Sequence, residues 1–164
     1  QVFNEVLVSS ENRFKPFSFD GIDYRHIPTK LTFGIENPST LVRVTDIERT
    51  ILDSLRDFGK VGGLEELLRC LAMVTVIDEA KFLAYLEEYK NQFLYQKAGY
   101  ILNFFPAMKL TNKFFNTCKD KIGKSRRYLY EGIKEESPKY ISEWQLYAPQ
   151  NLLMRVEEGG DILV

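Results

Sequence analysis

The sequence predicts an α+β fold: N-terminal antiparallel strands, a central bundle of about five helices, and C-terminal strands returning to the sheet. Three observations predict it. Apolar and polar residues largely alternate ahead of Thr45, the apolar period then lengthens to about 3.6, and after Gly123 it shortens again. With 164 residues, the chain can bury one core without disulfides or metals. No repeat and no long linker interrupts it, so residues 1–164 read as a single domain.

The strands come first. Val6-Leu7-Val8 is apolar and β-branched, and the polar turn Ser9-Ser10-Glu11-Asn12 follows. Phe14, Phe17 and Phe19 surround Pro16, which suits an edge strand or a bend. Asp20-Gly21 marks a hairpin leading into Ile22–Ile27, and Asn37-Pro38-Ser39 marks another before Leu41–Val44. The chain begins on Gln1 and enters Val2, Phe3, Val6 and Val8 at once, without a start methionine, so it reads as a fragment.

Five helices follow. Thr45-Asp46-Ile47-Glu48 has the form of a capping box, with Thr45 as the cap and Glu48 reaching back to it. Ile47, Ile51, Leu52 and Leu55 then make one apolar stripe. Gly62-Gly63 turns the chain into a helix that carries Leu64, Leu67, Leu68 and Leu71 on one face. Asp78 caps a third, with Phe82, Leu83, Leu86 and Tyr89. The fourth runs from about Gln92 to Phe105, with Leu94, Ala98, Ile101, Leu102 and Phe105 inward. Gly99 inside it costs roughly 1 kcal/mol relative to alanine, which the close approach of another helix would explain. The fifth spans roughly Met108 to Ile122, aligning Leu110, Phe114, Phe115 and Cys118. Strands then return at Arg127–Tyr130 and Tyr140–Tyr147, and Asn151-Leu152-Leu153 begins a short terminal helix.

Composition removes several function classes. The net charge is −1 and the isoelectric point is near 6.0, so any basic face is local. Cys70 and Cys118 match no metal or redox spacing and read as reduced core thiols. No leader and no membrane span is evident, so the chain reads as a soluble cytoplasmic protein. His26 is the lone histidine, too little for a zinc site, and no nucleophile motif accompanies it. Asp20 and Asp23 are spaced for turn chemistry rather than for two metals, and Glu65-Glu66 and Glu87-Glu88 fall on polar helix faces. No catalytic residue, metal or cofactor is therefore assigned.

One electrostatic feature stands above background. Lys119, Lys121, Lys124, Arg126 and Arg127 cluster beside Ser125, Tyr128 and Tyr130, with Asp120 the one acidic interruption. This run is the candidate nucleic-acid surface, since its cations would neutralise phosphates and Tyr128 would add a hydrogen bond. Arg13, Lys15, Arg25, Lys30 and Arg43 would strengthen it if they shared its face. The alternative is a solvated helix end whose cations complement the dipole.

The stretch Leu41–Leu71, LVRVTDIERTILDSLRDFGKVGGLEELLRCL, resembles the AbiEi family pattern V-R-V-T-x-x-E-R-T-x-x-D followed by G-G-x-E-E-x-x-R. The upstream RFKPFSFDGIDYRHI and LTFGIE are also similar to that family. So are the helix Ala98–Asn103 and the closing Tyr140-x-x-x-Trp144-x-Leu146 with Pro149-x-Asn151-Leu152-Leu153. Ala98 and Asn103 depart from the pattern, where a larger apolar and an acidic residue are usual.

The resemblance implies a non-enzymatic antitoxin and transcriptional regulator of a bacterial type IV, abortive-infection toxin–antitoxin system. Its N-terminal winged helix-turn-helix, which reads operator DNA, would be absent from this chain. The C-terminal domain would antagonise a nucleotidyltransferase toxin without a stable complex and would support operator binding. The motif residues then take structural roles: Thr45 and Glu48 cap, Arg49 and Asp53 pair at i,i+4 for a few tenths of a kcal/mol, and Gly62 and Gly63 turn the chain. Two other readings stay open. One is a metal-dependent nuclease or nucleotide-modifying domain, with carboxylates such as Glu5 and Asp20 converging with a lysine. The other is a protein-interaction module anchored by Phe17, Tyr24 and Tyr130.

Overall fold

Asp20 and Gly21 both take positive φ, 51° and 73°, as a tight hairpin turn of the primed kind requires. The hairpin joins β2 (Phe17–Phe19) to β3 (Ile22–Pro28), which lies between β2 and β1 (Glu5–Ser10). β2 is thus an edge strand, as its proline suggested. The β1–β3 pairing is parallel, from Glu5 opposite Asp23 to Ser10 opposite Pro28, and this corrects the expected antiparallel sheet. The polar residues after β1 do not fold it back onto its successor. They carry the chain to the far side of β3, so that β1 and β2 both flank the later strand. The computed structural model describes residues 4–150 together with 152 and 154, so Val2 and Phe3 lie outside the described residues.

The chain divides into two compact units, Gln1–Phe33 and Gly34–Val164. The second unit opens with a two-stranded ribbon, β4 (Ile35–Glu36) against β5 (Val44–Thr45). Five helices follow: α1 (Ile47–Arg56), α2 (Leu64–Ala72), α3 (Glu79–Tyr89), α4 (Gln92–Leu102) and α5 (Asn112–Lys121). The α2 stripe is wholly buried, as expected. In α1, Ile51, Leu52 and Leu55 are buried, whereas Ile47 is exposed on the first turn. The fifth helix starts later than Met108 because Lys109 takes φ 56°, which ends a 3-10 turn before α5 begins. Cys118 is buried, and burial pushes its thiol up to about 12. Cys70 is exposed on α2, which corrects its assignment to the core.

α4 is the centre of the bundle, packed against α1, α3 and α5. Residues 94–102 are all buried, polar Gln96 and Lys97 included, so this helix has no solvent face along that stretch. Gly99 is needed there. A Cβ on it would sit 2.1 Å from Cζ3 of Trp144, so the close neighbour is an indole and not another helix. Gln96 fixes the same region by donating through Nε2 to the Trp144 carbonyl at 3.0 Å.

That contact leads into the last sheet, ordered β6 (Arg127–Tyr128), β8 (Leu146–Ala148), β7 (Lys139–Ile141). These strands form a sheet of their own rather than rejoining the first, a second correction. The expected long strand from Tyr140 to Tyr147 is broken by a 3-10 turn at Ser142–Trp144, which delivers the indole to Gly99. Of the terminal helix expected from Asn151, the described residues include Leu152 and Met154, both helical, the first buried and the second exposed. No described helix is long and apolar enough to cross a membrane.

Candidate functional site

Two groups of polar residues deserve to be built from their side chains, the motif on α1 and the basic run. In the motif the cap is Asp46 and not Thr45. The Asp46 carboxylate accepts the Arg49 amide at 2.8 Å, while Thr45 Oγ1 hydrogen-bonds Thr50 Oγ1 at 2.7 Å. Glu48 does not reach back either. It accepts the Asp78 amide at 2.8 Å, thirty residues on, and so ties α1 to the start of α3. The expected capping box is therefore corrected, shifted by one residue and opened outward.

The rest of the motif closes the same seam. Arg49, 1% exposed, donates through Nε to Asp53 at 2.8 Å, the predicted i,i+4 pair. Asp53 also accepts the Tyr89 hydroxyl at 2.8 Å, and Asp46 accepts that of Tyr85 at the same distance. Lys81 of α3 lies 3.0 Å from both Asp46 and Glu48, and their two carboxylates raise its pKa. Burial pushes the Asp46 carboxyl up, but the Arg49 amide, Lys81 and Tyr85 outweigh it and hold it below the usual carboxylate value. Gly62 and Gly63, at φ 91° and 96°, turn the chain between a 3-10 turn and α2 as expected. Every charged group of the motif has an internal partner, and its chemistry is spent on holding α1 to α3.

The basic run is less uniform than its sequence. Lys119 pairs with Glu143 and Lys121 lies 3.1 Å from Glu87, so these two are neutralised locally. Lys124, Arg126 and Arg127 are exposed and form no ion pair among the described residues. Arg126 sits over the Tyr140 ring at 5.0 Å and Arg127 over Phe93 at 5.4 Å. Tyr128, Tyr147 and Tyr140 stand opposite one another across β6, β8 and β7. Their ring centroids are 4.7 and 5.0 Å apart, and Lys134 lies over Tyr128 at 4.8 Å. The row was not apparent from sequence, because it depends on the register of three short strands. It lies beside the cationic segment 124–127, whose last residue opens β6.

The other candidates are dispersed. His26 donates through Nε2 to the Ser10 carbonyl at 2.9 Å and meets Phe14 edge-on, a packing role. Asp23 accepts the Ser18 hydroxyl, and Glu5 pairs with Arg25 at 3.1 Å. Among the described residues no three His, Cys, Asp or Glu side chains are grouped to hold a metal. Phe17 is exposed and stacks on Tyr24 at 4.9 Å in the first unit, whereas Tyr130 belongs to the second. Arg13, Lys15, Arg25 and Lys30 are likewise in the first unit, and Arg43 precedes β5 in the second. No protein-family model, no curated protein and no solved structure matches the chain.

Proposed function

We propose that this chain is a non-enzymatic antitoxin and transcriptional-regulator domain of a bacterial type IV toxin–antitoxin system. It antagonises a nucleotidyltransferase toxin and supports operator binding by a DNA-reading module outside this sequence. The observation that carries the reading is the exposed segment Lys124–Arg127, whose three cations form no ion pair among the described residues and which leads into the tyrosine row. Such a segment can contact phosphates without reordering, which is what a supporting DNA contact needs. The inward-turned α1 motif is consistent with a scaffold that binds rather than reacts.

The test uses the complete gene product and its own promoter. Replacing Lys124, Arg126 and Arg127 together with alanine should weaken operator binding uniformly across sequences and lower the salt slope by about one per lost phosphate contact. Lys121→Ala should do less, since Glu87 already holds that side chain. Operator affinity and salt slope unchanged in the triple variant would remove the basic segment from the proposal. Absence of a nucleotidyltransferase gene beside this one, or failure of the gene product to rescue growth from such an enzyme, would overturn the antitoxin role.

A further inference from the structure

Lys97 lies on α4 one turn beyond Phe93 and is 6% exposed. Its ammonium is 4.6 Å from the Phe58 ring centroid and 4.8 Å from that of Phe93. One N–H donates to the Arg56 carbonyl at 3.2 Å. No ion pair is formed with any described carboxylate. An ammonium has three donors, of which one is used here, and Asp57 attracts it without forming an ion pair, so burial outweighs that attraction. Burial indeed pushes this amine down to about 8.

The amine does not end in a closed core. It lines an open basin of about 880 Å³, within the size range of small-molecule sites. Gly63 and Leu64, the start of α2, line the same basin. Gly63 is the N-cap residue and supplies no side-chain acceptor at the positive end of the α2 dipole, while Glu65 and Glu66 place carboxylates in the first turn. A buried ammonium and a helix N-terminus whose cap residue has no side chain therefore open on one space. Both favour an anion.

The remaining lining narrows the class. Asp57, Glu65, Glu131 and Glu136 also line the basin, against Arg56 and Lys134. That balance disfavours a polyanion such as a nucleic-acid backbone and suits a ligand with one anionic group. Phe93 and Tyr130 supply aromatic wall. We propose that this basin binds a small organic molecule through a phosphate or carboxylate group seated between Lys97 and the N-terminus of α2. The site adjoins the exposed basic segment and shares Tyr128 with it, but none of Lys124, Arg126 and Arg127 lines it, so its test does not depend on the regulatory reading.

The experiment titrates the intact chain with inorganic phosphate, adenosine monophosphate and salicylate while following the Lys97 side-chain resonance and the α2 amides by NMR. Saturable shifts of Lys97 together with the Glu65 and Glu66 amides are expected for at least one organic anion, with Kd below about 1 mM. Phosphate alone reports whether the head group suffices, and the two organic probes separate phosphate from carboxylate. The bound anion should raise the Lys97 pKa. Lys97→Met should weaken binding at least about tenfold, or roughly 1.4 kcal/mol, and Lys121→Met should leave it unchanged. No saturable shift with any probe at about 10 mM, or equal affinity in Lys97→Met, would overturn the assignment. Should that variant not fold, the Lys97 resonance of the native chain decides alone.

Discussion

Arg49 and Lys97 are both cations inside the helical unit, and they are buried by opposite means. Arg49 pairs with Asp53, which also takes the Tyr89 hydroxyl and lies 3.4 Å from Arg56. Lys97 has two aromatic faces and one carbonyl. The first arrangement balances charge with charge and locks α1 to α3. The second leaves a charge without an ion pair beside an open basin, attracted by Asp57 but not bonded to it. A paired buried ion is a structural fixture, whereas an unpaired one next to solvent-accessible space is open to a ligand.

The largest expected effect breaks the comparison directly. Arg49→Met strands Asp53, still held by Tyr89 and Arg56, and should lower stability by about 3 kcal/mol, the lower end for breaking a buried pair. Lys97→Met removes an unfavourably buried charge and keeps the apolar stem, so it should be neutral or stabilising by about 1 kcal/mol. Urea denaturation followed by circular dichroism reads both. Equal losses in the two variants would mean that Lys97 is as well compensated as Arg49, and the distinction would fall.

Next in size is a pH effect. The folded pKa of Lys97 is about 8, below its ordinary 10.5. Between those values the unfolded chain binds a proton that the native one does not, so the native state gains stability as pH rises. The full difference amounts to about 3 kcal/mol. Tyr85, Tyr89 and Tyr95 are shifted upward by burial and carboxylates, and Lys81 is raised by Asp46 and Glu48. Their contributions fall away as pH passes their unfolded values near 10, and that of the raised Cys118 thiol from about pH 9. From about pH 8 to 10 the gain is therefore read as the difference from Lys97→Met, in which these groups cancel. Unfolding free energy measured across that window should rise in the native chain relative to Lys97→Met. A flat difference would show that the amine is not desolvated.

Sequence periodicity revealed the elements better than their partners. The α2 stripe was legible because four leucines recur at helical spacing, and the Asp20-Gly21 hairpin because positive φ favours those residue types. The parallel β1–β3 pairing was not, since strand order depends on where a loop carries the chain. Thr45 and Asp46 are both good caps one residue apart, and a contact from Glu48 to residue 78 decided between them. The basic run was legible as charge, but its partial neutralisation by Glu87 and Glu143 required α3 and the Ser142–Trp144 turn to be in place. Lys97 did leave a trace. Between Phe93 and Leu102 apolar side chains occupy all sides of the helix, leaving no polar face for Gln96 or Lys97.

The smallest effect sharpens the comparison most. Tyr89→Phe removes one hydrogen bond to Asp53 and should cost about 1 kcal/mol. Combined with Arg49→Met, the loss should depart from additivity by at least about 0.5 kcal/mol, because both side chains serve the same carboxylate. Combined with Lys97→Met the departure should be smaller, because Lys97 reaches Asp53 and Tyr89 only through Arg56, whose carbonyl it binds. Coupling in the second cycle as large as in the first would show that the two cations belong to one electrostatic network. Lys97 would then be compensated at a distance through α1, and the basin would have no uncompensated charge to offer an anion.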